Sequence, residues 1–126
     1  MRSIRRRLLV ALLLLTSAAP GLAAMPAPAH AEVIELLRAL GNSNCEFFRN
    51  GSWYDSAKAE SHLKRKFDYV ERKGLVASAD EFIASAGSQS STSGEIYQVR
   101  CQGGPAEPSA QWLIRQLQRI RAGAQD

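Results

Sequence analysis

The sequence predicts an α+β domain: three to four helices packed on a small antiparallel two-stranded sheet, with one disulfide. Three observations carry that prediction. Apolar residues recur at helical spacing in four separate stretches, and two short segments rich in aromatic or β-branched residues sit beside turn signals. The only two cysteines, Cys45 and Cys101, fall at those two segments. At 126 residues the chain is one domain at most, which excludes a repeat array, a multi-domain enzyme and a multi-span membrane protein.

The first residues have the grammar of an export leader. Arg2, Arg5, Arg6 and Arg7 precede the apolar run Leu8–Leu15, which is too short to cross a bilayer and is broken by Pro20 and Gly21. Two small-residue cleavage sequences follow, Leu22-Ala23-Ala24 and Ala29-His30-Ala31. The second is the better Ala-x-Ala match, so residues 1–31 are expected to be a signal peptide and residues 32–126 a periplasmic domain beginning at Glu32. Arg5-Arg6 resembles the twin-arginine signal, whereas the leucine run points to the general secretory route. No cysteine lies at either cleavage sequence, which argues against a lipid anchor.

Processing changes the charge argument. The chain has 16 Lys+Arg and 12 Asp+Glu, and four arginines but no acid leave with the leader, so the mature domain is neutral. The basic balance therefore belongs to the export signal and implies no nucleic-acid partner. An even cysteine count in a small exported domain predicts a Cys45–Cys101 disulfide. With His62 as the single histidine of that domain, and no Cys-x-x-Cys spacing, no metal site and no cofactor is expected.

The elements follow in order. Met25 to His30 is rich in alanine and proline and reads as unstructured. Val33, Ile34, Leu37 and Leu40 mark a short first helix stopped by Gly41-Asn42. Cys45–Arg49 reads as a strand ending in the tight-turn dipeptide Asn50-Gly51. Asp55 caps the longest helix, about Ser56 to Lys73, with Ala59, Leu63, Phe67 and Val70 inward. Ser78 and Glu81 form a capping box for a short helix carrying Phe82, Ile83 and Ala86. A polar Ser88–Gly94 loop leads to a strand, Glu95–Cys101. The last helix runs about Ser109 to Arg121, with Leu113, Ile114, Leu117 and Ile120 inward and Trp112 beside them.

One register reconciles the two strands. If Cys45 faces Cys101 in an antiparallel pair, then Phe47 meets Val99 and Arg49 meets Tyr97 on one face. On the other face Glu46 meets Arg100 and Phe48 meets Gln98. The first face then carries the disulfide, an apolar pair and a cation on an aromatic ring; the second carries an opposite-charge pair.

These residues resemble the YfeK-like family of small exported bacterial proteins. The resemblance is carried by Arg49-Asn50-Gly51, by His62-Leu63, and by Ser90-Ser91-Thr92-Ser93-Gly94 with Tyr97 and Val99, in that order. It implies export and a single domain with no established activity, so no catalytic role comes with it.

The candidate binding residues are Arg49, Asn50, Tyr54, His62, Ser91, Ser93 and Tyr97. Arg49 offers a planar fork for a carboxylate or phosphate, and His62 a pH-sensitive contact. The Ser88–Gly94 loop offers backbone N–H groups, and Tyr54, beside Trp53, a stacking surface. The function expected is a non-enzymatic binding module for an envelope protein or cell-wall component. The alternatives are a small hydrolase using His62 with a serine of loop 88–93, and an inhibitor of an envelope hydrolase. The inhibitor reading rests on Ser93, Gly94 and Tyr97, which resemble the motif of periplasmic lysozyme inhibitors, although those are β-barrels.

Overall fold

The computed structural model describes residues 13–15 and 25–124. The cationic start and the sequence Leu22-Ala23-Ala24 lie outside the described residues. Among the described residues four helices and four strands follow in the order α1 (Ala27–Gly41), β1 (Glu46–Arg49), β2 (Ser52–Tyr54), α2 (Ser56–Arg72), α3 (Ala79–Ala86), β3 (Gln98–Arg100), β4 (Glu107–Pro108) and α4 (Ser109–Gly123). The strands form one antiparallel sheet in the order β2-β1-β3-β4.

The central pairing has the expected register: Glu46 faces Arg100, Phe47 faces Val99 and Phe48 faces Gln98. Cys45 and Cys101, one step further out, are bonded to each other. The charge pair forms as well, Arg100 Nε donating to Glu46 Oε1 at 3.1 Å.

The sheet is larger than the expected two strands, because Asn50-Gly51 closes a true hairpin. Asn50 and Gly51 both have positive φ (47° and 84°), the combination a two-residue turn of this twist requires. The turn returns the chain as β2, with Tyr54 opposite Phe47 and Trp53 opposite Phe48. At the other end, Glu107 and Pro108 pair with Val99 and Gln98 as a two-residue β4. The strand expected over Glu95–Cys101 is shorter than its pattern. Tyr97 leaves the ladder because its N–H donates to the Ser88 carbonyl, and its own carbonyl accepts from the Ser109 N–H.

The helices start where their caps put them. Asp55 accepts from the Lys58 N–H at 2.8 Å, and Ser78 accepts from the Glu81 N–H at 3.1 Å. The Glu81 carboxylate reaches back to the N–H of Ala77 rather than that of Ser78. The first helix begins earlier than its apolar spacing shows. Residues 27–31 are helical, and Pro28 in the first turn fits because no N–H is needed there. Met25 is buried beneath this turn. His30 lies against the Phe67 ring, 5.4 Å between centroids, and pairs with Glu71.

The core lies between the helices and one face of the sheet. Leu36 and Leu40 of α1, Phe67 of α2, Phe82 of α3 and Leu113 of α4 are fully enclosed. Phe67 and Phe82 meet edge to face at 5.3 Å. Trp112 takes an inward position on α4 and meets Phe47 edge to face at 5.5 Å, while Ile114, expected inward, is 45 % exposed. Arg121 joins three helices at the surface, bonding Glu32 of α1 and Asp80 of α3. Exposed pairs of this kind contribute little beyond register.

The disulfide closes a loop of 56 residues, an entropic constraint on the unfolded chain of about 4 kcal/mol. The Cys45→Ser, Cys101→Ser double variant is expected to unfold at lower denaturant, with a loss of about 2–4 kcal/mol, because the reduced unfolded chain is already compact. A variant as stable as the parent would show that the β1–β3 register needs no covalent support.

Candidate functional site

A cleft of about 470 Å³ opens between α2 and the β1–β2 hairpin. Its apolar walls come from Phe47, Phe48, Tyr54, Leu63 and Tyr97. Arg49, Lys58, His62 and Arg65 also line it. Local structure explains the gathering. Lys58, His62 and Arg65 are spaced by four and three residues, so they form one stripe along α2 about 10 Å long. The tight turn fixes the end of β1 and with it Arg49.

Arg49 does not pack on Tyr97 as its register position suggests. The ladder between β1 and β3 ends at Phe48 and Gln98. The Arg49 guanidinium instead lies over the Tyr54 ring, 5.0 Å from its centroid. Lys66, one turn beyond His62 on α2, takes Tyr97: its ammonium is 4.8 Å from the ring centroid and donates to the phenol oxygen at 3.1 Å. It donates as well to the Gln89 carbonyl at 3.0 Å.

Tyr97 is buried and links the groups behind the cleft. Its oxygen accepts from Lys66 and lies 3.1 Å from His62 Nε2, a bond in which either group can donate. The surroundings hold the imidazole neutral. Burial first, then the positive charges of Arg49, Lys66 and Arg65, push the His62 pKa down to about 4. Burial likewise lowers Lys66, assisted by Arg49. It raises Tyr97, against the opposing effect of Arg49, so the phenol is not poised as a base.

The electrostatics are lopsided. Among the described residues the ion pairs use Lys64, Arg100, Arg115, Arg121 and His30. None uses Arg49, Lys58 or Arg65, the three cations lining the cleft. The one carboxylate in the lining, Asp55, caps α2. An aromatic cleft with unpaired cations can receive an anionic group attached to an apolar body.

Of the residues picked from sequence, Arg49, Tyr54, His62 and Tyr97 come together here. Asn50, Ser91 and Ser93 do not line the cleft. Ser93 Oγ donates to Asn50 Oδ1 at 2.8 Å, tying the serine loop to the hairpin turn, and Ser91 is exposed. The serine–histidine pairing a hydrolase would use is not formed among the described residues. His62 bonds Tyr97, Ser88 donates to the Ala84 carbonyl, and Ser90 bonds Thr92. Lys58, Arg65 and Lys66 went unread in the sequence, where they look like an ordinary solvated helix face. The signal for the first two was their stripe with His62. Ser109, the buried first residue of α4, also lines the cleft. No groups of His, Cys, Asp and Glu suited to hold a metal occur among the described residues.

The His62 environment predicts a pH effect of definite sign. In the folded chain the ring stays neutral down to about pH 4, against an ordinary value of 6.5. The unfolded chain takes up this proton first, so its contribution makes the fold less stable as pH falls from 6.5 towards 4 and is level below that window. An NMR titration of the His62 ring should give a midpoint near 4, and Arg49→Gln should move that midpoint upward by removing a nearby positive charge. A midpoint at or above the ordinary value would mean that the ring is not held as described.

Comparison with known proteins gives one assignment. No curated protein and no solved structure matches the chain. The model of a family of unknown function, DUF5329, matches residues 27–121, from the first turn of α1 to near the end of α4. The span takes in every helix and strand described above, and the chain belongs to the DUF5329 family.

Proposed function

We propose that the chain is an exported, non-enzymatic binding module of the bacterial cell envelope, whose cleft receives an anionic group on an envelope protein or cell-wall component. The observation that carries this reading is the set of three cations, Arg49, Lys58 and Arg65, that line one aromatic-walled cleft and make no ion pair among the described residues. Like charges gathered on a fold repel one another, and a ligand anion relieves that repulsion. Binding rather than turnover is supported by the hydrogen bonding of His62 and Tyr97, which face each other instead of a nucleophile. The motif residues shared with the YfeK-like family, Arg49-Asn50-Gly51 and His62-Leu63 among them, support the same exported setting.

Export rests on the cationic start and the short apolar run. No helix of the described residues is long and apolar enough to cross a membrane. Packing at the start of α1 favours the earlier of the two cleavage sequences. Cleavage after Ala31 would remove buried Met25, the first helical turn and the His30–Glu71 pair. Cleavage after Ala24 keeps them all. The intact mass of the processed protein is expected to begin at Met25. A mass beginning at Glu32 would show those contacts to be dispensable.

Arg49→Lys tests the cleft, because it keeps the charge and loses the planar fork. The fold is expected to survive within about 1 kcal/mol, the scale of a cation–aromatic contact. Capture of a partner from periplasmic extract is expected to fall about tenfold. A variant that melts early yet captures the same partner would leave Arg49 as scaffolding.

A further inference from the structure

We propose that the occupant of the cleft is an acidic peptide segment in extended conformation, added as a fifth strand along the free edge of β2 with its carboxylates against Arg49, Lys58 and Arg65. This deepens the anion-binding reading above and rests on it.

Among the described residues the sheet leaves two edges free, β2 and β4. They differ in what they can offer a strand. β4 is two residues long, its second residue is Pro108, which has no N–H to donate, and the chain passes directly into α4. β2 is Ser52-Trp53-Tyr54, with no proline and no charge, and pairs with β1 alone. Edges of this kind are ordinarily blunted by lysine, proline or a bulge. Here the unguarded edge runs into the cleft, since Tyr54 and Asp55 line it.

The cations are arranged to meet side chains arriving from that edge. Arg49 belongs to β1, one strand inward, yet its guanidinium sits over the ring of Tyr54 on β2 and is therefore carried toward the free edge. The α2 stripe of Lys58, His62 and Arg65 forms the opposite wall. Alternate side chains of an added strand point to one face, about 7 Å apart, so two acidic residues at alternate positions would lie along a stripe of about 10 Å. On the other face of the hairpin, Trp53 stacks on the Arg100 guanidinium at 3.8 Å and meets Phe48 at 5.3 Å, which holds β2 in place. Main-chain pairing would supply affinity, and the cations would select an acidic sequence.

The test uses the purified protein and a nine-residue peptide alternating valine with glutamate, measured by calorimetry and by NMR of the Ser52–Asp55 and Arg49 amides. Three controls accompany it: the same peptide N-methylated on one edge, a lysine-for-glutamate version, and inorganic phosphate. The parent peptide is expected to bind and to shift the β2 amides. N-methylation on the pairing edge, lysine for glutamate, and Arg49→Gln are each expected to weaken binding tenfold or more, and added salt to weaken it further. The N-methylated control leaves the protein unaltered, so its result is independent of variant folding. If that control binds as well as the parent, or the lysine peptide does, the strand-addition proposal is overturned. If no peptide binds but phosphate shifts the Arg49 signals, the peptide proposal falls and the anion-binding cleft stands. If neither ligand perturbs the cleft, both readings fall together.

Discussion

Cys45 and Cys101 stand one step beyond Glu46 and Arg100, at the end of the β1–β3 ladder, so the covalent link holds a register that three residue pairs would hold weakly. Slipping either strand by one residue would turn Phe47 and Val99 out of the core and bring Phe48 and Gln98 in. With the register fixed, Phe47 reaches Trp112 of α4, and Tyr97, just before β3, has its carbonyl accept from the Ser109 N–H at the start of that helix. The sheet centre, α4 and the buried phenol are thus placed by one pairing. The cleft inherits its floor from the same constraint, since Tyr97 joins Lys66 and His62 only at that depth.

Much of this order was legible in the residues. The β1–β3 register followed from parity, because cysteines, apolar pairs and charges agree only in one alignment. Asp55, Ser78 and the apolar stripes of α2 and α3 marked their helices in the expected places. β2 and β4 were not legible, since segments of three and two residues have no periodicity to read. The start of α1 was hidden by composition, as alanine and proline before an apolar run read as a linker, although proline is compatible with a first turn.

The site was legible as a set of residue types and not as a set of neighbours. Arg49, Tyr54, His62 and Tyr97 were singled out for their chemistry, and the cleft collects them. Which cation meets which ring was decided across elements. Parity puts Arg49 and Tyr97 on one face, but Lys66 on α2 reaches the phenol first and Arg49 turns to Tyr54. Lys58 and Arg65 gain meaning only because the hairpin stands off from α2 along that stripe. Ser91 and Ser93 were singled out because their loop offers backbone N–H groups, yet neither lines the cleft, and Ser93 bonds Asn50.

The crowding around His62 is where the fold departs from what stability alone would favour. Elsewhere Arg121 takes Glu32 and Asp80, Arg100 takes Glu46, and Lys64 takes Asp68, while Arg38, Arg72, Lys73 and Arg119 make no ion pair among the described residues. Around the cleft, burial first and positive neighbours second lower both His62 and Lys66, so each is harder to hold charged. A glutamate at a neighbouring exposed position of α2 would relieve this at no cost to packing. The core needs Phe67, Leu63 and Ala59 from α2; it does not need Lys58 and Arg65, which stay exposed in the cleft lining with Arg49 and make no ion pair among the described residues.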